Sequence, residues 1–326
     1  GYDVYLSQVV IGIAAAVVLT LINVRGVSSA ARLQTMVTLM VVLSGLILLS
    51  GVPASGSWAH FSPLLAHGSA GVLSVIVMVP VMFVGFDIIP QAAAEIDLPP
   101  QRIGGLVVLS VGCGALWYVV IIVAVGLLLG PGERSESVLT TAAAAAAGWN
   151  SNWAGTALVW GGIAGIITTW NAFLVGASRL MYVLAESGAL PLWLIPHNSG
   201  PSPGRPFARV LWLLCVLACI APWFGRPTLV WLINAGSLGV IVAYALVALA
   251  FLKLRRSEPQ LQRPYRVRFG LLVGWSALLL ALAIGCLYLP FSPSGLLWPQ
   301  EWLICGGWVL FGAALFALAR RAAAPT

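Results

Sequence analysis

Asp87 stands where a carboxylate is expensive. It follows a long apolar run, with Gly85 just before it and Pro90 just after it. On insertion scales a charge at the centre of a membrane span costs roughly 2.5–3.5 kcal/mol, so such a residue is a functional candidate by default. Glycine and proline on either side predict a broken helix. A bilayer tolerates one only where protein or a water-lined cavity meets the freed backbone groups. Transporters build substrate and ion sites at such breaks, so the spacing points to transport. The duller reading ends the span near Gly85 and leaves Asp87 at the membrane interface, where it caps or anchors the chain. With no lysine or arginine at its depth, Asp87 is also a candidate proton carrier.

A second polar group is Thr168-Thr169-Trp170-Asn171-Ala172-Phe173. Its side-chain oxygens could ligate a sodium ion, and Trp170 or Phe173 could cover a substrate. Against that, threonines in membrane helices commonly bond back to their own helix. Gln8, Ser44, Ser74, Ser110, Asn234 and Ser237 are the other polar residues noted in apolar runs.

Other chemistries lack their parts. Asp87 is the one acidic residue deep in an apolar run, because Asp3 and Asp97 lie at or beyond run ends; intramembrane aspartyl proteolysis would need a partner. His60, His67 and His197 fall in loops, so no Ser–His or Cys–His dyad can form. The two outer histidines could sense pH or bind a metal, but are more simply solvated. No GxxxxGK[ST] loop is present. Cys215 and Cys219 share a helix face that a soft metal could use, and small-residue packing is the simpler reading. No cofactor, metal or nucleic-acid partner is expected, and the chain is not expected to be an enzyme.

These residues need a membrane scaffold to hold them. The 326 residues are 60% hydrophobic and 8% charged, against about 25% charged in soluble domains. Apolar runs of about 17–25 residues predict about nine transmembrane helices. They cover 4–24, 33–51, 71–94, 104–130, 154–182, 208–224, 229–251, 269–289 and 302–319. The runs are continuous rather than alternating, which excludes a barrel.

With loops assigned alternately to two sides, all sixteen Lys and Arg except Arg134 and Arg226 fall on one side. Basic loops stay cytoplasmic, so this chain's N-terminus is expected outside and its C-terminus in the cytoplasm. The basic loop 253–268 could also touch anionic headgroups. Thr140–Trp149, rich in alanine, reads as a short surface helix or a low-complexity linker. Gly161 and Gly165 form a GxxxG pair suited to close packing within a bundle. The sequence starts Gly-Tyr-Asp, almost directly in a span, and is expected to be a fragment.

Four segments resemble one family. FVGFDIIPQAAAEIDLPPQRIG is similar to the sixth-helix motif of the amino acid–polyamine–organocation permeases, F-x-G-F-D/E leading to A-A-E-E and N-P-x-R. SRLMYVLAESGALPLWLIPHNSGPSPGRP resembles the family segment after helix eight. RPYRVRFG resembles the R-P-F-K-V-P-x-G stretch before helix eleven, and NVRGVSSAARLQ the start of helix five. The motifs keep the family's order over nearly the whole chain.

The resemblance implies family helices four to twelve, with the first three absent, in one permease domain over 1–326. The fold implied is an all-α polytopic membrane protein, part of a LeuT-like inverted-repeat bundle whose second repeat is complete. Phe83, Val84, Gly85 and Phe86 would then form the unwound stretch that meets a substrate amino group. Phe173, or Trp170 one turn away, would close over the substrate beside Asn171. Glu95 and Arg179 would form a cytoplasmic gate, and Asp87, Thr168 and Thr169 are coupling candidates.

Departures are Ala94 in place of the first glutamate, Pro90, and the apolar Thr38-Leu39-Met40-Val41 where some relatives carry a coupling lysine. The expected function is secondary transport of an amino acid or amine by alternating access, with a possible proton or sodium co-substrate. The alternative is a membrane scaffold or partner subunit that does not transport. A channel is disfavoured, because no ring of repeated polar residues is seen.

Overall fold

Long runs of Leu, Val, Ala and Gly, punctuated by short Gly- and Pro-bearing segments, fold into helices joined by compact turns. A computed structural model describes residues 5–65, 68–91, 93, 97–134, 139–191, 193, 208–292 and 295–323. In chain order the helices are α1 (Leu6–Val24), α2 (Val27–Ser55), α3 (Gly68–Phe83), α4 (Ile88–Gln91), α5 (Pro100–Leu128), α6 (Thr140–Trp149), α7 (Asn152–Glu186), α8 (Ala208–Ile220), α9 (Gly225–Ser257), α10 (Gly270–Cys286) and α11 (Gln300–Ala323). No strand occurs among the described residues.

Among the described residues six helices are long and apolar enough to cross a membrane: α1, α2, α5, α7, α9 and α11. The other apolar runs fold as shorter pieces. α3 stops at a break, and α8 passes into a tight 3-10 turn at Ala221–Phe224. The 17 residues of α10 rise about 26 Å, just short of a hydrocarbon layer of about 30 Å. Outward faces are mostly apolar: Leu303, Trp308 and Val309 on α11 are each at least 70% exposed. Water would penalise such a surface, whereas lipid tails are its natural solvent.

Small residues set the helix spacing. α2 lies along α7, and a Cβ on Gly161 would run into Ser44 of α2. The GxxxG pair therefore serves packing inside the chain. α6 is a helix but not a surface one. It sits among α2, α5 and α7 with Ala142, Ala144 and Ala145 buried beside Leu48 and Leu128. Small residues allow this: α6 and α2 approach within backbone contact at Gly51 and Gly148. Ser55 donates to the Gly148 carbonyl at 3.0 Å and the Trp149 indole to the Ile47 carbonyl at 2.9 Å.

His60 is not simply solvated. Its Nδ1 lies 2.7 Å from the Leu127 carbonyl at the end of α5. Arg134 covers the same end, donating to the carbonyls of Gly126 (3.0 Å) and Leu129 (3.1 Å). The last carbonyls of a helix lack partners of their own, and a cation there is doubly favourable.

Candidate functional site

The helix break forms where glycine permits it. α3 ends at Phe83, Val84–Asp87 turn, and α4 resumes at Ile88. Gly85 has φ +130°, a backbone region that side chains make costly. Pro90 lies in the first turn of α4, where a missing N–H loses no helical hydrogen bond.

The freed polar groups are then met one by one. The Tyr118 hydroxyl on α5 donates to the Met82 carbonyl at 2.9 Å, and its ring lies 5.5 Å from that of Phe83. Asp87 accepts from the Gly85 N–H at 2.8 Å and from Gln91 Nε2 at 3.1 Å. Both of its oxygens are thus used to hold the turn to α4.

α4 docks on α7 at Gly176. A Cβ there would crowd Gln91 Oε1 and Ile88, so glycine favours the close approach. Around Gly85 the opposite holds: the space a Cβ would take is open. Phe86 points toward α9, its ring 5.7 Å from that of Tyr244. Both line an apolar cavity of about 450 Å³ between α3, α9 and α10. The buried Tyr244 hydroxyl has no hydrogen-bond partner among the described residues.

The polar group on α7 splits between faces. Phe173 lies one turn before Gly176, on the side that receives α4, and is 45% exposed. Asn171 is buried and turns to α1 and α2. Its Oδ1 accepts from Asn23 at 2.9 Å, and its Nδ2 donates to Gln34 Oε1 at 3.0 Å and to the Ala30 carbonyl at 3.3 Å. Trp170 packs on the apolar cluster of Leu19, Leu174 and Leu211. Thr168 and Thr169 both donate to the Gly165 carbonyl, at 2.7 and 3.0 Å. Helical spacing thus puts Phe173 on the face of α7 that receives α4, while Asn171 and Trp170 are engaged in helix packing.

Residues 3–313 match the profile of a family described as amino acid permease. The chain belongs to the amino acid permease family. It is 28% identical to a methylthioribose transporter of Bacillus subtilis, an alignment covering 97% of this chain and 66% of that protein. It is 22% identical to the branched-chain amino acid permease BcaP of the same organism, over 74% of the chain and 50% of the relative. A cationic amino acid transporter of Arabidopsis thaliana is 23% identical over 83% of the chain and 45% of its own length. The chain thus spans under two thirds or about half of these relatives. Family membership with long apolar helices makes it a multi-pass membrane protein, and sets it among permeases rather than enzymes.

In this permease chain Arg179 is buried on α7, donating from Nη1 to Ser178 Oγ at 2.8 Å and to the Val175 carbonyl at 3.2 Å. Glu95, its expected gate partner, lies outside the described residues, as do His67 and His197. No group of three His, Cys, Asp or Glu among the described residues could hold a metal.

Three polar features escape a reading of the sequence. Glu301, just ahead of the last apolar run, is fully buried: it accepts from Asn234 of α9 at 2.8 Å and from the Leu297 N–H at 2.8 Å. Asp87 is therefore not alone as an acidic residue inside the bundle. Thr20 and Asn23 are buried on α1, the second joined to Asn171. Tyr118 holds the broken end of α3 from another helix. Asn234 and Asn171 were the sequence signals, but their partners lie far along the chain.

Proposed function

We propose that this chain carries family helices four to twelve of a secondary transporter for an amino acid or a related small compound. The nine apolar runs then act as spans, α3 and α4 counting as one broken span, in a LeuT-like inverted-repeat bundle. The basic loops and the C-terminus face the cytoplasm. Substrate binds at the membrane midplane, on the backbone of Phe83, Val84, Gly85 and Phe86, with Phe173 of α7 closing over it. Alternating access exposes that site to each side in turn.

The observation that carries this reading is the break itself. Gly85 is held at positive φ with open space beside it, while Tyr118, Asp87 and Gly176 fix both ends of the gap. A fixed, unwound turn in an apolar bundle needs an occupant or a role for its backbone, and the family supplies one. Asp87 holds the turn, and Asn171 and Trp170 position α7. Thr169, on the Phe173 side of α7, is the nearer of the two threonines for an ion. Arg179 with Glu95 gates the inner side.

The test is uptake by the full-length reading frame in proteoliposomes. Labelled branched-chain and cationic amino acids and methylthioribose are offered with and without imposed proton or sodium gradients. Accumulation or counterflow of one of them is expected. Folded, correctly inserted protein that moves none of them would favour the scaffold reading.

A further inference from the structure

We propose that a cleft at the basic end of α9 binds the phosphate headgroup of an anionic membrane lipid. The cleft, of about 460 Å³, is lined by Leu249, Leu252, Lys253, Arg256 and Ser257 of α9 and by Trp275 of α10. It lies on the opposite side of the α9–α10 pair from the apolar cavity at Phe86, by the helical spacing of the residues that line each. The inference does not depend on what the permease carries.

The cations of this segment differ in what they touch. Arg255 stacks on Phe251 at 4.9 Å and donates to the Val267 carbonyl at 3.1 Å. Arg263 donates to the carbonyls of Leu254, Glu258 and Leu261, closing the loop on itself. Arg268 lies over Phe269 at 5.5 Å. Among the described residues Lys253, Arg256 and Arg266 take no hydrogen bond or ion pair, and of these Lys253 and Arg256 wall the cleft, one helical turn apart. Arg256 stands 5.8 Å from the Trp275 ring. Glu258, the one acid in this loop, is not among the residues lining the cleft.

Two unneutralised cations side by side repel each other until an anion joins them. Here the site sits at the end of a membrane-crossing helix, floored by leucines. Leu246 of α9 and Leu279 of α10 continue the same faces toward the bilayer centre, 59% and 62% exposed. A ligand that suits both ends carries a phosphate at one end and hydrocarbon at the other. Tryptophan at headgroup level and basic residues beside it are the usual interfacial arrangement for such lipids.

Native mass spectrometry of the full-length protein in detergent tests this, with equimolar phosphatidylglycerol and phosphatidylcholine added. Wild type is expected to retain phosphatidylglycerol preferentially. K253Q/R256Q should lose that adduct about tenfold, while the charge-matched R266Q/R268Q and the conservative K253R/R256K keep it. Inorganic phosphate at millimolar concentration should not displace the lipid. Equal retention by wild type and K253Q/R256Q would overturn the site, as would an equal loss in R266Q/R268Q. Displacement by phosphate, with no preference between the two lipids, would overturn the lipid in favour of a free anion.

Discussion

Gly85 matters through its backbone rather than through crowding. Its Cβ position is open, so a methyl would meet no neighbour, but at φ +130° any L residue is strained by about 1–3 kcal/mol. Gly85→Val should therefore abolish uptake while expression and insertion persist. Gly188→Ala is the control, since Gly188 also sits at positive φ (75°) but lies beyond the end of α7. If it lowers thermal stability without changing the substrate KM, strain alone is not what stops transport. At Asp87 both oxygens accept hydrogen bonds that tie the turn to α4. Asp87→Asn should then slow uptake, because an amide cannot accept at both atoms, yet keep the wild-type pH profile. Loss of pH dependence with substrate exchange retained would instead make Asp87 the proton carrier. The sequence exposed both residues through their cost. It could not show that Asp87 has local partners, which depends on the turn's geometry.

At the scale of elements, the site is held by how closely helices can approach. α4 packs closely on α7 at Gly176, where a side chain would crowd Ile88 and Gln91. Gly176→Leu should push α4 away and cut uptake at least tenfold at normal surface expression. Gly162→Leu, on the same helix but with open space around it, should be tolerated. Equal transport by both variants would remove α4 docking from the mechanism. Periodicity and small residues revealed that α7 packs tightly, and the GxxxG pair does meet α2. They could not distinguish the face that receives α4 from the face that receives α1 and α2. Asn171 illustrates why: its partner Asn23 lies 148 residues away in sequence. Alanine content likewise left α6 open as a surface helix or linker, because alanine suits a surface helix and a tight interior one equally well.

Across the whole molecule, charge sets the expected orientation. Loop 253–268 is rich in Arg, while segment 131–153 carries only Arg134, which closes the end of α5 instead of marking a side. Single cysteines placed in each loop, on a background without Cys113, Cys215, Cys219, Cys286 and Cys305, should label oppositely with an impermeant reagent in intact cells. The 131–153 position should react from outside and the 253–268 position should not. Labelling of both from outside would reverse the proposed topology.

The sequence by itself determined that this chain lives in a membrane, that it is helical, that its third apolar run breaks at Gly85, and which family it resembles. Each follows from local properties: apolar length, the cost of a lone carboxylate, and glycine's tolerance of positive φ. Only the tertiary structure decided which helices are long enough to cross unaided and that α6 is interior. The same holds for Asn171 facing α1 and α2, and for Glu301 being buried against Asn234. Those outcomes depend on partners brought together across the chain, and hydrophobic patterning is silent about partners because every helix here is apolar on most of its faces.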